Sequence, residues 1–224
     1  MYSSDQDFLT RADQHLHSSP HALSDKGDLI LNPDVRKYYP SFRDAAVLIS
    51  LIERPEGLTS LFNMRPQHLR SHAGQIGFPG GKVEKGDEGP IGTAVREAHE
   101  EVGLPGENVE PLGFLDAYIT GSGFRVVPVL AKVQAPDRFI LDPNEVESAF
   151  EVPISFLMNP ENHGHGFITF RDKPRFYYEM PYFDGEQTWR IWGVTAGIVR
   201  QLYETVYPDY PAELPKSVVQ DATA

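Results

Sequence analysis

The run from residue 78 to 104, FPGGKVEKGDEGPIGTAVREAHEEVGL, constrains this chain more than any other stretch. Its double glycine gives a turn whose backbone can approach a neighbour closely. Gly103 stands where a helix would end. Between them, residues 92–102 have helical periodicity, with Ile91, Val95, Ala98 and Val102 on one face. At about 100° per residue, Glu100 and Glu101 fall near −60° and near +40° of Glu97. The three carboxylates therefore occupy a stripe about 100° wide beside the packed face. Like charges at such spacing destabilise a helix. Three oxygen ligands on a rigid element suit a hard divalent cation such as Mg2+, which would relieve the repulsion. Arg96 could orient a carboxylate through a forked hydrogen bond. On the helix alone, a solvated acidic face is the commoner explanation; the glycine turn before it shifts the balance.

The flanking segments predict one α/β domain with a mixed sheet. Residues 45–52, AAVLISLI, form a continuous apolar run of strand length. TSLFNMR (59–65) alternates and reads as its hairpin partner across ERPEG. Residues 109–119 and 124–133 read as two strands separated by TGSG. The segment 144–158 looks helical at first and turns at Pro153. Residues 165–170 and 175–183 have the aromatic, β-rich character of a hairpin. Residues 191–207 carry an apolar stripe at Ile191, Val194, Ile198 and Leu202, which predicts an amphipathic helix. Residues 1–40 are expected to be an N-terminal extension, a helix near 7–17 followed by a loop. The core domain is expected over 41–207, and a disordered tail over 208–224.

Bulk properties exclude several classes. With 40% apolar and 11% aromatic residues among 224, the chain has the composition of a packed globular core. A formal net charge of −12 argues against a general nucleic-acid binder. It leaves room for an anionic small molecule, because a local basic patch or a metal can reverse the field. The sequence contains no cysteine, so disulfides, thiolate metal sites and cysteine nucleophiles are excluded. No run approaches the length of a membrane helix, and the polar, acidic start MYSSDQDFLTRADQHLH is unlike a secretory signal. A soluble, cytoplasmic protein acting on a small molecule, without nucleic-acid or membrane partners, is the expectation. A homodimer is a possible assembly.

The order Gly81-x5-Asp87-x8-Arg96-Glu97-Ala98-His99-Glu100-Glu101-Val102-Gly103-Leu104 resembles the Nudix box, G-x5-E-x7-R-E-U-x-E-E-x-G-U with U aliphatic. Asp87 in place of glutamate and one extra spacer residue depart from the general pattern. The resemblance implies a Nudix-type α/β/α sandwich with a mixed β-sheet. It also implies hydrolysis of a nucleoside diphosphate linked to another moiety. Glu97 and Glu101 would be ligands of Mg2+ or Mn2+, with Glu100 a further ligand or a partner through water. The Gly81 backbone would border the same metal site, and Arg96 would serve the catalytic carboxylates. A pyrophosphate is highly anionic, so attack by water needs charge neutralisation and an oriented nucleophile, which metals supply. A carboxylate can serve as general base.

The stretch 63–81, NMRPQHLRSHAGQIGFPGG, resembles the coenzyme A pyrophosphatase branch of that family, R-S-x-x-L-R-x-H-x-G-Q-V-x-F-P-G-G, with Pro66 in place of a small polar residue. The longer spacer and the aspartate at 87 also occur there. Later blocks, 120–130, 144–160 and 190–198, extend the likeness. It implies cleavage of coenzyme A to 3′,5′-ADP and 4′-phosphopantetheine, with ADP-ribose or a dinucleoside polyphosphate as alternative substrates and a non-catalytic nucleotide sensor as another reading. Arg65, Arg70 and His72 are the candidate substrate-binding residues; ordinary surface charge is the plainer explanation for them. Among Asp142, Glu145, Glu147 and Glu151, Glu145 aligns best as an extra ligand or base, although acids also gather at helix N-termini. The aromatic run at 175–183 either borders a pocket or packs as core.

Overall fold

In the computed structural model, which describes residues 1–20, 23–39, 41–69, 72–170 and 172–212, the Ser4 hydroxyl caps helix α1 (Asp5–His15) by accepting from the Asp7 amide. This helix matches the one expected near 7–17, and it buries Phe8 and Ala12 completely. The residues after it hold a short strand, β1 (Asp25–Gly27), a helical turn, α2 (Asp28–Leu31), and a 3₁₀ turn at Pro33–Lys37.

The apolar run lies in β2 (Arg43–Arg54), joined by a tight turn to β3 (Gly57–Met64). The two pair antiparallel only from Ile52↔Thr59 to Arg54↔Gly57, and beyond that β3 peels away. Backbone groups freed by the split need new partners. The Ser50 hydroxyl accepts from the Leu61 amide at 2.9 Å, and the Leu48 amide donates to the Pro79 carbonyl at 2.8 Å. The glycine turn fills the gap: β4 (Ile76–Gly77) pairs with the end of β3, and β5 (Gly80–Lys82) pairs with β2 at 45–47. The chain then enters α3 (Gly89–Val102), which stops at Gly103 in the left-handed conformation (φ 68°).

The strand expected over 109–119 is two: β6 (Val109–Phe114) and β7 (Ala117–Ile119), both antiparallel to β8 (Phe124–Val133). Pro111 cannot donate to a ladder, and the register shifts between it and Gly113. The break falls at Asp116, whose carboxylate turns to the Ser24 amide, Lys26 and His17. The helix expected from residue 144 is absent; β9 (Ser148–Pro153) pairs with β3 from Met64↔Ser148 to Thr59↔Pro153, and only α4 (Ile154–Leu157) is helical. The acid-rich composition suggested a helix start, but the edge of β3 left open by its parting from β2 captures this segment. The hairpin is present as β10 (Gly164–Phe170) and β11 (Lys173–Phe183), extended into a second sheet by β12 (Thr188–Trp192). Ile191 is thus a strand residue, and the last helix, α5 (Val194–Val206), starts later than the apolar stripe suggested. Residues 210 and 212 tie back to it through Tyr203 and Arg200; the rest of the expected tail, from 213 on, lies outside the described residues.

The main sheet runs β1-β7-β8-β2-β3-β4, with β5 beside β2, β6 beside β8 and β9 beside β3. It is mixed, since β2 and β8 are parallel, as are β1 and β7. Ala94, Ala98 and Val102 of α3 pack on one face against Ala46, Leu48, Val127 and Val129. The other face buries Ile49, Leu51 and Leu130 with α1 and α5. The result is the expected α/β/α sandwich. Among the described residues no helix is long and apolar enough to cross a membrane.

Candidate active site

The site grows from the parting of β2 and β3. Because β5 enters that gap, the glycine turn lies directly against α3. A Cβ on Gly81 would lie 2.4 Å from Glu97 Oε1, so only glycine lets this carboxylate lie over the turn. Glu101, one helical turn on, is 2% exposed. Its Oε2 accepts from the Gly80 amide at 3.0 Å and from Asn63 Nδ2 at 2.8 Å. Arg65 Nη1 stands 3.8 Å from the other oxygen. Burial pushes the Glu101 carboxyl up to about 7, the Gly80 amide opposes that shift, and the negative charge of Glu97 adds to it. Burial also raises Glu97, against the pull of Arg96.

The third carboxylate comes from the loop between β8 and β9. The Ile140 and Asp142 amides donate to the Val102 and Glu101 carbonyls, each at 3.0 Å, which stitches the loop to the end of α3. The Glu147 amide donates to the Met64 carbonyl at 2.8 Å. Between these anchors Glu145 reaches the helix, and one oxygen each of Glu97, Glu101 and Glu145 lie within 4.8 Å of one another. Of the four acids considered in this loop and strand, Glu145 is the one in the group. Glu151 pairs instead with Arg54.

Arg96 organises the acidic stripe. Its guanidinium grips Asp87 through Nε at 2.9 Å and Nη2 at 3.1 Å. It also donates to Glu97 at 3.0 Å, to Glu100 at 2.9 Å and to the Lys82 carbonyl at 3.0 Å. Asp87 accepts further bonds from Thr93 Oγ1 and the Glu84 amide, and the Arg96 contact holds its carboxyl well below the usual carboxylate range. Asp87, left without a role by the sequence, thus fixes Arg96. Glu100 is more than half exposed and lies on the Arg96 side, apart from the three grouped carboxylates.

A cavity of about 470 Å³ adjoins this group. Asn63 and Gly80, which hold Glu101, both line it, and so do Arg65, His72 and Gln75. His72 sits in the left-handed region (φ 59°), with Nδ1 2.6 Å from Gln75 Oε1. Arg70 lies outside the described residues. Arg125 is engaged with Asp25 at 2.9 Å. The far walls come from Phe176, Tyr177 and Trp192 of the second sheet and from Asp28 and Tyr39 near the N-terminus. The aromatic run therefore serves both of its expected ends: Phe176 and Tyr177 face the cavity, while Tyr178 and Met180 are buried in the core. Asn63, Asp28 and Tyr39 were not anticipated. Asn63, next to the apolar Leu61 and Phe62, was the available signal, since a buried amide requires partners.

Three carboxylates from two elements, over a turn kept clear of side chains, suit a hard divalent cation. A sequence model of the NUDIX domain matches residues 42–168. The chain is 38% identical over 164 residues to "Uncharacterized Nudix hydrolase NudL" of Yersinia pestis (strain Pestoides F), covering 73% of this chain and 80% of that protein. The same values hold for the protein of that name in Yersinia pseudotuberculosis serotype O:1b (strain IP 31758). Among solved structures, a C. elegans Ap4A hydrolase in a binary complex matches with a TM-score of 0.43 and 21% identity, over 50% of this chain and 80% of that one. Enzymes of this kind act on pyrophosphate bonds of small-molecule nucleotides and generally use divalent metals such as Mg2+ or Mn2+. By the extent of the family match and the identity to these relatives, the chain belongs to the Nudix hydrolase family.

Proposed function

We propose that this protein is a coenzyme A diphosphatase, cutting the pyrophosphate to 3′,5′-ADP and 4′-phosphopantetheine. The observation that carries the reading is the adjoining of the carboxylate group and a large cavity whose near rim is Arg65, His72 and Gln75. Those three residues belong to the stretch that resembles the coenzyme A branch. Glu97, Glu101 and Glu145 would hold the metal, with the Gly81 backbone beside them. A bound divalent cation would neutralise the pyrophosphate and lower the pKa of water.

The protein's own groups do the rest. Asn63 and the Gly80 amide fix the Glu101 carboxylate, and Arg96, itself gripped by Asp87, fixes Glu97. Arg96 is therefore a positioning residue. Glu145, exposed and loop-borne, would act either as the third metal ligand or as the base that takes the proton of the attacking water, with Glu100 the second candidate base. Arg65 and His72 offer donors to substrate phosphates at the cavity rim.

The test is incubation with coenzyme A and Mg2+ or Mn2+, with ADP-ribose in parallel. Appearance of 3′,5′-ADP and 4′-phosphopantetheine is expected, and both Glu97→Gln and Glu101→Gln should remove most of the turnover. A clear preference for ADP-ribose would instead make the protein a Nudix hydrolase of another nucleotide. No turnover of either compound would leave the substrate claim without support.

A further inference from the structure

The cavity reaches past the carboxylates, and its far end is built in part by residues outside the matched domain. Asn32 exchanges two hydrogen bonds with the Phe176 backbone, at 3.0 and 3.1 Å. Asp34 takes a bidentate contact from Arg175. Through these ties the segment 28–39 is fastened to the second sheet and closes one side of the cavity.

Asp28 lines that end. Its carboxylate is locked by two donors: Tyr118 Oη at 2.7 Å on one oxygen and the Gly121 amide at 2.6 Å on the other. Tyr118 is 3% exposed, and it lies so close to Gly197 that a Cβ there would overlap its hydroxyl. Each carboxylate oxygen can accept two bonds, so each keeps an acceptor position. Among the described residues no Lys, Arg or His forms an ion pair with Asp28. Burial raises the Asp28 pKa, against the pull of its two donors. Tyr39, Phe124, Phe176 and Tyr177 line the same cavity, and the Arg43 guanidinium lies 4.0 Å over the Phe124 ring centre.

We infer that Asp28 is a specificity-determining residue that accepts a hydrogen bond from the exocyclic amine of a purine base stacked in this aromatic end, while the diphosphate lies toward Arg65 and the carboxylates. Flat aromatic walls around a fixed acceptor suit a planar base with an amine better than a flexible chain. The inference rests on the nucleotide reading above and adds the residue that selects the base.

The test is calorimetric binding to the full chain without divalent metal. It compares ADP with purine riboside 5′-diphosphate, which differs only by lacking the amine. The unsubstituted protein should bind ADP about tenfold more tightly, as expected for one hydrogen bond gained at a desolvated site. Asp28→Asn and Asp28→Ala should reduce that ratio severalfold, with melting temperature as the check on folding. A purely structural role would weaken both ligands alike and leave the ratio unchanged, which would overturn the inference. If neither variant folds, the ratio in the unsubstituted protein decides, and a ratio of one overturns it. Loss of 4′-phosphopantetheine binding in the variants with unchanged ADP binding would also overturn it. Coenzyme A turnover with no discrimination between the diphosphates would keep the enzymatic reading and reject this one. Discrimination through Asp28 without coenzyme A turnover would do the reverse.

Discussion

In the absence of divalent metal, the buried Glu101 carboxyl should make this protein less stable as pH rises. Its folded-state pKa is raised, so the folded chain holds a proton that the unfolded chain has released between the two values. The stabilisation is complete below the ordinary carboxylate value and is lost as pH rises through about 7. Moving this carboxyl from 4.5 to about 7 corresponds to roughly 3 kcal/mol across that window. For a chain of this size, that is a fall in melting temperature on the order of 5–10 °C. Glu101→Gln keeps an oxygen for Asn63 and the Gly80 amide but cannot ionise, so it should flatten this part of the profile. Scanning calorimetry of both proteins in chelator, from pH 4.5 to 8, measures the difference directly. Mg2+ at about a hundred times its dissociation constant should restore roughly 2.7 kcal/mol at pH 8 in the unsubstituted protein and much less in the variant. Parallel profiles for the two proteins in chelator would refute the reasoning.

Gly81→Ala should leave the fold intact, because the obstructed group is the end of a flexible side chain, yet displace Glu97 and lower kcat at least about tenfold in a turnover assay. Asp87→Ala removes the main anchor of Arg96 and should destabilise the protein by about 2–3 kcal/mol in urea denaturation. Because the Asp87 pKa is depressed, its stabilisation is present above the ordinary carboxylate range and is lost on acidification; the variant should therefore lose less stability than the unsubstituted protein as pH falls through that range. Asn63→Ala strips one of the two donors from the Glu101 oxygen and should cost about 1–2 kcal/mol, with weaker Mn2+ binding by titration calorimetry.

The acidic helix was legible because its periodicity and its glycine stop are local properties, and the structure keeps both. The hairpin at 45–65 was legible for the same reason. Segment 144–158 was misread because its acids resemble a helix start, while the partner that makes it a strand, β3, lies some ninety residues earlier. Phe150 illustrates the override: its ring stacks on Trp189 at 4.0 Å between centroids, a contact that local sequence does not disclose. Gly81 was placed by the motif, and the reason for it, the Glu97 carboxylate, became visible only in space. Glu145 was reached through family likeness rather than pattern, since a single glutamate in an irregular loop has no periodicity to mark it. The far cavity was illegible for a related reason: Asp28 and Phe176 come to line it together because the segment 28–39 is fastened to the second sheet.

The two anchors around Glu145 divide their loop into unequal parts. Upstream, from residue 135 to 139, chain can be added or lost without moving the glutamate, because Ile140 and Asp142 reset the path against the Val102 and Glu101 carbonyls. Between Asp142 and Glu147 the span is too short to absorb an insertion. Evolutionary and engineered length changes should therefore be tolerated on one side of Asp142 and disabling on the other. That asymmetry lets the upstream part of the loop vary while the third carboxylate stays where it is.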